Sequence, residues 1–153
     1  MKHLIITLAL ITATLPLSAQ KGLRINEVFE GNIINELALH ESLVKGESLE
    51  PFKLKVLHTV KFTTGNSARD KVEALFKEDM QGRLSDENDN LELEYRDGRL
   101  YYAIVQIADT KKGLHRYICY QCRQETGGNS ITLVYMEGKA SLADLRKTFK
   151  KKK

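Results

Sequence analysis

Leu91-Glu92-Leu93-Glu94-Tyr95-Arg96-Asp97-Gly98-Arg99-Leu100-Tyr101-Tyr102-Ala103-Ile104-Val105-Gln106-Ile107-Ala108 is the stretch that decides how this chain folds. Its first six residues alternate apolar and charged side chains, the period of a strand with one wet face. Asp97-Gly98 follows at once, and a two-residue type I′ hairpin turn needs positive φ at both central positions, which Asp-Gly supplies. The return run, Arg99 to Ala108, carries Leu100, Tyr102 and Ile104 on one face and Tyr101, Val105 and Ile107 on the other. A strand that is apolar on both sides belongs in the interior of a sheet covered on both faces.

The same pattern spreads outward. Thr110-Lys111-Lys112-Gly113 is a polar turn, Leu114 to Arg123 a third strand, Thr126-Gly127-Gly128-Asn129 a breaker, and Ser130 to Met136 a fourth strand. Connections this short join antiparallel neighbours, because parallel strands need a crossover of about a dozen residues or more. Upstream, Ala38 to Lys45 reads as a strand and Gly46 to Pro51 as a loop. Lys53 to Thr63 alternates cleanly, with Leu54, Val56, His58, Val60 and Phe62 on one face and lysines on the other, as an exposed face or edge would have. Leu23 to Gly31 places Ile25, Val28 and Phe29 at helical spacing. Ser67-Ala68-Arg69-Asp70 and Ser141-Leu142-Ala143-Asp144 both have the form of a capping box. The first opens a helix with Val72, Leu75, Phe76 and Met80 on its apolar stripe and Gly82 at its end. The second opens a C-terminal helix that buries Leu142, Leu145 and Phe149. The predicted architecture is α+β, a mostly antiparallel sheet of about six strands with helices packed against it.

Residues 1–19 have the anatomy of a secretory signal peptide: Met1-Lys2-His3 as a positive start, an apolar run from Leu4 to Leu17, and Ser18-Ala19-Gln20 as a cleavage region. The run is shorter than the ~20 residues of a spanning helix. Residues 20–153 are then a single exported domain with a lysine-rich C-terminal tail, and no transmembrane segment is expected after cleavage. Formal net charge is +4, and loss of Lys2 would lower it by one. Much of the excess sits in Lys147 and in Lys150, Lys151, Lys152 and Lys153. Such a run is ordinarily a solvated end, with weak contact to anionic membrane as the functional alternative. Elsewhere bases and acids interleave, which argues against nucleic acid as a partner.

Cys119-Tyr120-Gln121-Cys122 is the motif most suggestive of chemistry, a candidate disulfide or redox pair. It falls inside a strand, however, where residues three apart face opposite sides and lie ~10 Å apart. A disulfide requires no more than ~7 Å between Cα atoms. Zinc would need two further ligands, and His40, His58 and His115 have no matching spacing, so neither metal nor cofactor is expected. Asp86-Glu87-Asn88-Asp89-Asn90 resembles the start of a calcium loop, but Leu91 stands where the glycine should be. His58 lies on the apolar face of its strand, where a histidine is ordinarily a hydrogen-bonded core residue. Tyr95, Tyr101, Tyr102, Tyr117 and Tyr120 form a candidate binding surface, since tyrosine joins an apolar body to a polar tip. No catalytic motif stands out.

The export signal followed by Lys21-Gly22-Leu23-Arg24-Ile25-Asn26-Glu27-Val28-Phe29-Glu30-Gly31, and the ending Ile131-Thr132-Leu133-Val134-Tyr135-Met136-Glu137-Gly138, resemble the small secreted proteins of unknown function from gut Bacteroidetes. That resemblance implies a periplasmic or extracellular location in a Gram-negative cell, and it carries over no active-site residue. The sequence thus points to an exported, non-enzymatic binding module of the cell envelope, its partner an envelope protein or a small ligand. A thiol-dependent protein using Cys119 and Cys122 is the alternative.

Overall fold

The computed structural model describes residues 20, 22–82 and 91–149. The expected signal peptide of residues 1–19, the calcium-loop-like stretch Asp86–Asn90 and the lysines from Lys150 onward lie outside the described residues. Six strands form one sheet: β1 (His40–Lys45), β2 (Leu54–Thr64), β3 (Leu91–Arg96), β4 (Arg99–Lys111), β5 (Leu114–Glu125) and β6 (Gly128–Gly138). Their order across the sheet is β1-β2-β6-β5-β4-β3, and every neighbouring pair is antiparallel. The Asp97-Gly98 turn has φ of 51° and 75° at its two residues, the doubly positive geometry expected of that dipeptide.

Both faces of the sheet are covered. On one, α1 (Asn26–Phe29) and α2 (Asn66–Gly82) bring Ile25, Val28, Phe29, Val72 and Phe76 against Val60, Phe62, Val105, Ile118 and Leu133. On the other, α3 (Leu142–Phe149) and the 3-10 turn Glu47–Phe52 bring Leu49, Leu142 and Leu145 against Ile104, Tyr117 and Met136. Side chains buried as fully as Val72 and Phe76 each contribute roughly 2 kcal/mol relative to exposure. The α+β reading of the sequence therefore holds, and the doubly apolar strand β4 does lie inside the sheet, between β3 and β5.

Two bulges correct the side-chain assignments. Between Leu54 and Val56 the register against β6 shifts by one residue, so Leu54 packs with the α3 side while Val56 packs with the α2 side. In β4, Tyr102 faces Glu94 and Leu100 faces Tyr95, which leaves Tyr101 as an extra residue. Leu100 thereby joins the α2 side, not the side of Tyr102 and Ile104. One added residue reverses the face of everything beyond it. The lysine-bearing strand β2 is interior, and the sheet edges are β1 and β3.

Local details differ as well. The Gly46–Pro51 loop is largely a 3-10 turn, and β1 starts at His40 after another 3-10 turn, Glu36–Ala38. The helix expected to be capped by Ser67 begins at Asn66, with the Gly65 carbonyl accepting from Arg69 N–H at 3.1 Å. The second capping box is as predicted. Ser141 N–H donates to Asp144 Oδ2 at 3.0 Å, and Asp144 N–H to Ser141 Oγ at 3.1 Å.

The N-terminal segment is fastened to α2 by one carboxylate. Backbone N–H groups of Arg24 and Ile25 donate to Asp79 Oδ1 and Oδ2 at 2.7 and 2.8 Å, and Asp79 is almost wholly buried. Removing it strands two amides in a dry interface. Asp79→Ala is expected to lower stability by about 3 kcal/mol in a urea melt, and to release the Leu23–Phe29 amides to hydrogen exchange. A loss below about 1 kcal/mol would mean that water replaces the carboxylate.

Candidate functional site

The bulge at Tyr101 also divides the sheet. Pairing between β4 and β5 runs from Lys111–Leu114 to Tyr102–Gln121 and stops there. Beyond that point β4 stays paired with β3 as far as Arg99, and β5 stays paired with β6 as far as Glu125. The two hairpins part, and a cleft of about 390 Å³ opens between their turns, within the size range of small-ligand sites. Leu100 and Tyr101 form one wall and Cys122, Arg123 and Gln124 the other, with Arg69 and Asn129 at one side.

Arginines dominate the lining: Arg69, Arg96, Arg99 and Arg123, against the carboxylates of Glu73 and Asp97. Arg69 is buried and makes four side-chain hydrogen bonds. Its Nε and Nη2 donate to Asp70 Oδ1 at 3.0 and 2.8 Å, and its Nη1 to Asn66 Oδ1 at 3.0 Å and Asn129 Oδ1 at 3.2 Å. Asn129 in turn donates from Nδ2 to Thr64 O and Asn66 Oδ1, which ties β2, β6 and the first turn of α2 into one rigid network. Arg99 shares Asp70, donating from Nη1 at 3.2 Å. The Arg96 guanidinium lies 3.4 Å from the centroid of the Tyr101 ring, a cation–π contact, and its Nε donates to Glu94. Glu73 accepts from Lys77 at 2.6 Å. Arg123 differs from the rest: its Nε is buried, with no acceptor among the described residues.

Of the residues singled out in the sequence, Tyr101 and Cys122 meet in this cleft. Cys119 and Cys122 are free thiols on opposite sides of β5, Cys119 packing with the α3 core and Cys122 with the α2 core. Burial pushes both thiols upward in pKa, away from the thiolate that nucleophilic chemistry requires. The tyrosine row does not form one surface. Tyr117 and Tyr120 are entirely buried, because β5 is an interior strand whose both faces are covered. The Tyr117 hydroxyl donates to Ala140 O at 2.7 Å, and the Tyr120 ring leans on Phe76. Tyr95 is exposed. Tyr102 is half-buried on the other face of the sheet, near Glu92, Arg146 and Phe149, and burial pushes its hydroxyl up to about 12.

The arginines escaped the sequence reading. Arg96 and Arg99 bracket one turn and Arg123 precedes the next, a placement visible in the sequence but meaningful only once both turns lie at the same end of the sheet.

His58 is the other polar centre. It is buried, its ring 4.4 Å from that of Phe29, with Nε2 2.6 Å from Glu41 Oε1 and Nδ1 2.8 Å from Gln20 Oε1. A neutral imidazole has one donor and one acceptor. With the proton on Nε2 it donates to Glu41, and Nδ1 needs a donor. Turning the Gln20 amide by 180° brings its Nε2, buried and otherwise unpartnered, onto Nδ1 and satisfies both groups. Both ring nitrogens are thereby engaged, which leaves neither to take a proton from a substrate. Among the described residues no three His, Cys, Asp or Glu side chains are grouped to hold a metal ion.

Burial lowers the His58 pKa despite the raising influence of Glu41. Below about pH 6.5 the unfolded chain therefore binds more protons than the folded one, and stability falls with acidification. The unfolding midpoint is expected to drop between pH 7 and pH 5 more steeply in the native chain than in His58→Gln; parallel slopes would remove His58 from the account. Alkylation with iodoacetamide should reach the partly buried Cys119 and Cys122 slowly in the folded protein and quickly after unfolding, read by intact mass. Rapid labelling of either thiol in the folded protein would contradict their raised pKa values.

No helix among the described residues is long and apolar enough to cross a membrane. No curated protein and no solved structure matches the chain significantly. A family model described as a family of unknown function, DUF6108, matches residues 12–149, and the chain belongs to that family.

Proposed function

We propose that this is an exported, non-enzymatic binding domain of a Gram-negative cell envelope, of the Bacteroidetes type, which receives its ligand in the cleft between the two hairpins. The observation that carries the reading is the parting of β4 from β5 at Tyr101, which leaves a ligand-sized hollow on a scaffold held rigid by the Arg69–Asn66–Asn129 network. Preformed, rigidly supported hollows favour binding because little freedom is lost when they fill. Export is supported by the charged start, apolar run and small-residue cleavage region of residues 1–19. A binding role is favoured over thiol chemistry by the placement of the partly buried Cys119 and Cys122 on opposite faces of β5.

The test is native mass spectrometry on the protein gently isolated from fractionated cells that express it naturally. The expected result is an envelope-fraction chain beginning near Gln20, carrying a retained species that is lost in Tyr101→Ala. A full-length chain confined to the cytosol would refute export. Identical spectra for wild type and Tyr101→Ala would refute ligand binding in this cleft.

A further inference from the structure

We infer that the ligand of this cleft is recognised through an oxyanion, a carboxylate, sulfate or phosphate group seated on Arg123. The inference rests on the binding-domain reading and supplies its ligand chemistry. A guanidinium has five N–H donors and no acceptor, and its fork matches the paired oxygens of an oxyanion. A buried donor left without a partner is costly, and native proteins rarely tolerate one. Among the described residues the buried Arg123 Nε is such a donor, and its side chain lines the cleft.

The neighbouring carboxylates of Asp70, Glu73 and Glu94 are engaged with other cations. Asp70 is held by Arg69 and Arg99, Glu73 by Lys77, and Glu94 by Arg96. Asp97 stands in the hairpin turn at φ 51°, which fixes its backbone. Asp70, Glu73 and Glu94 are thus paired with cations other than Arg123, while four guanidinium groups line the space against the carboxylates of Glu73 and Asp97. Leu100, which is buried, gives one wall of the cleft a low dielectric that strengthens their pull on a negative group. The volume, about 390 Å³, exceeds that of a bare ion and leaves room for the body that carries the oxyanion, against the edge of Tyr101.

Arg99 and Arg96 keep donors beyond those already given to Asp70 and Glu94, and they stand at the opposite wall from Arg123. An oxyanion between the walls would close the gap that β4 and β5 leave open, replacing the missing ladder with charge-assisted hydrogen bonds.

The test is a titration of the isotopically labelled whole chain with sodium phosphate, sulfate and acetate, followed by amide NMR. Sodium chloride at matched ionic strength is the control. Tetrahedral and planar anions form separate arms, so the preferred geometry is read directly. Saturable shifts are expected at Leu100, Tyr101 and Cys122–Gln124. Arg123→Gln should weaken binding by about tenfold or more, the equivalent of one charge-assisted hydrogen bond. Lys139→Gln, exposed and away from the cleft, should change it less than about twofold. Arg123→Lys keeps the charge but loses Nε and the fork, and it too should bind weakly, which covers the case of a misfolded glutamine variant. Absence of saturable shifts, equal weakening by Arg123→Gln and Lys139→Gln, or full binding by Arg123→Lys would each overturn the inference. A neutral species retained by the native protein, with no anion shifting those resonances, would overturn the oxyanion while leaving the binding domain in place.

Discussion

The structure depends on one constraint: the central strands of its sheet are apolar on both sides. β5 and β6 bury Ile118, Tyr120, Leu133 and Tyr135 toward α2 and Tyr117 and Met136 toward α3. A sheet of this kind is stable in water only when each face has its own cover. The larger cover is built from two pieces far apart in sequence, the segment around α1 and helix α2, and the smaller from α3 with the Glu47–Phe52 turn. Each cover is then fixed by polar contacts that cannot slide. Asp79 grips the α1 segment through two backbone amides, and α3 is anchored where Lys139 and Ala140 N–H donate to the carbonyl of Lys53. Apolar burial supplies the drive, while these directional bonds decide where the covers sit.

The same sheet shows how a single inserted residue can open a cleft between two hairpins. At Tyr101 the extra residue moves Leu100 into the core beneath α2 and ends pairing with β5. Backbone twist increases at a bulge and the strand bends, so the β3–β4 hairpin leans away and the arginines beside its turn face Arg123 across the gap. A comparable bulge at Lys55 has a different outcome, because Gly138 lies directly against the backbone of Lys53 and Leu54 and the sheet closes over it. Any side chain at 138 would collide there. One bulge is sealed by glycine and the other is left open.

His58 illustrates the cost of burying polarity and the means of offsetting it. Its position on the inner face of β2 would penalise an uncompensated imidazole. Glu41 from the edge strand and Gln20 from the N-terminal segment both reach it. The histidine thereby links the α1 cover to the sheet edge, and the Phe29 ring packs against it at a tilt of 49°. A residue with the chemistry of a general base serves here as a polar clasp, since both of its nitrogens are taken.

Most elements were legible in the residues alone, because strand alternation, the Asp-Gly turn and the Ser141 capping box are local devices that express themselves wherever they are placed. The opposed directions of Cys119 and Cys122 followed from strand period for the same reason. What failed were inferences needing a partner. The faces of Leu54 and Leu100 depend on bulges that arise from register against β6 and β3. Residue type alone offers Tyr117 and Tyr120 for binding, whereas strand order puts them in the middle of a sheet covered on both faces. The cap of α2 moved off Ser67 because Asn66 is held by Arg69 and Asn129, the latter a residue from another strand. The elements and the α+β class are local properties, since backbone periodicity is written in nearest neighbours. The cleft is not, because its four arginines come from a helix and two hairpins that meet solely through pairing, and pairing is a relation between distant residues.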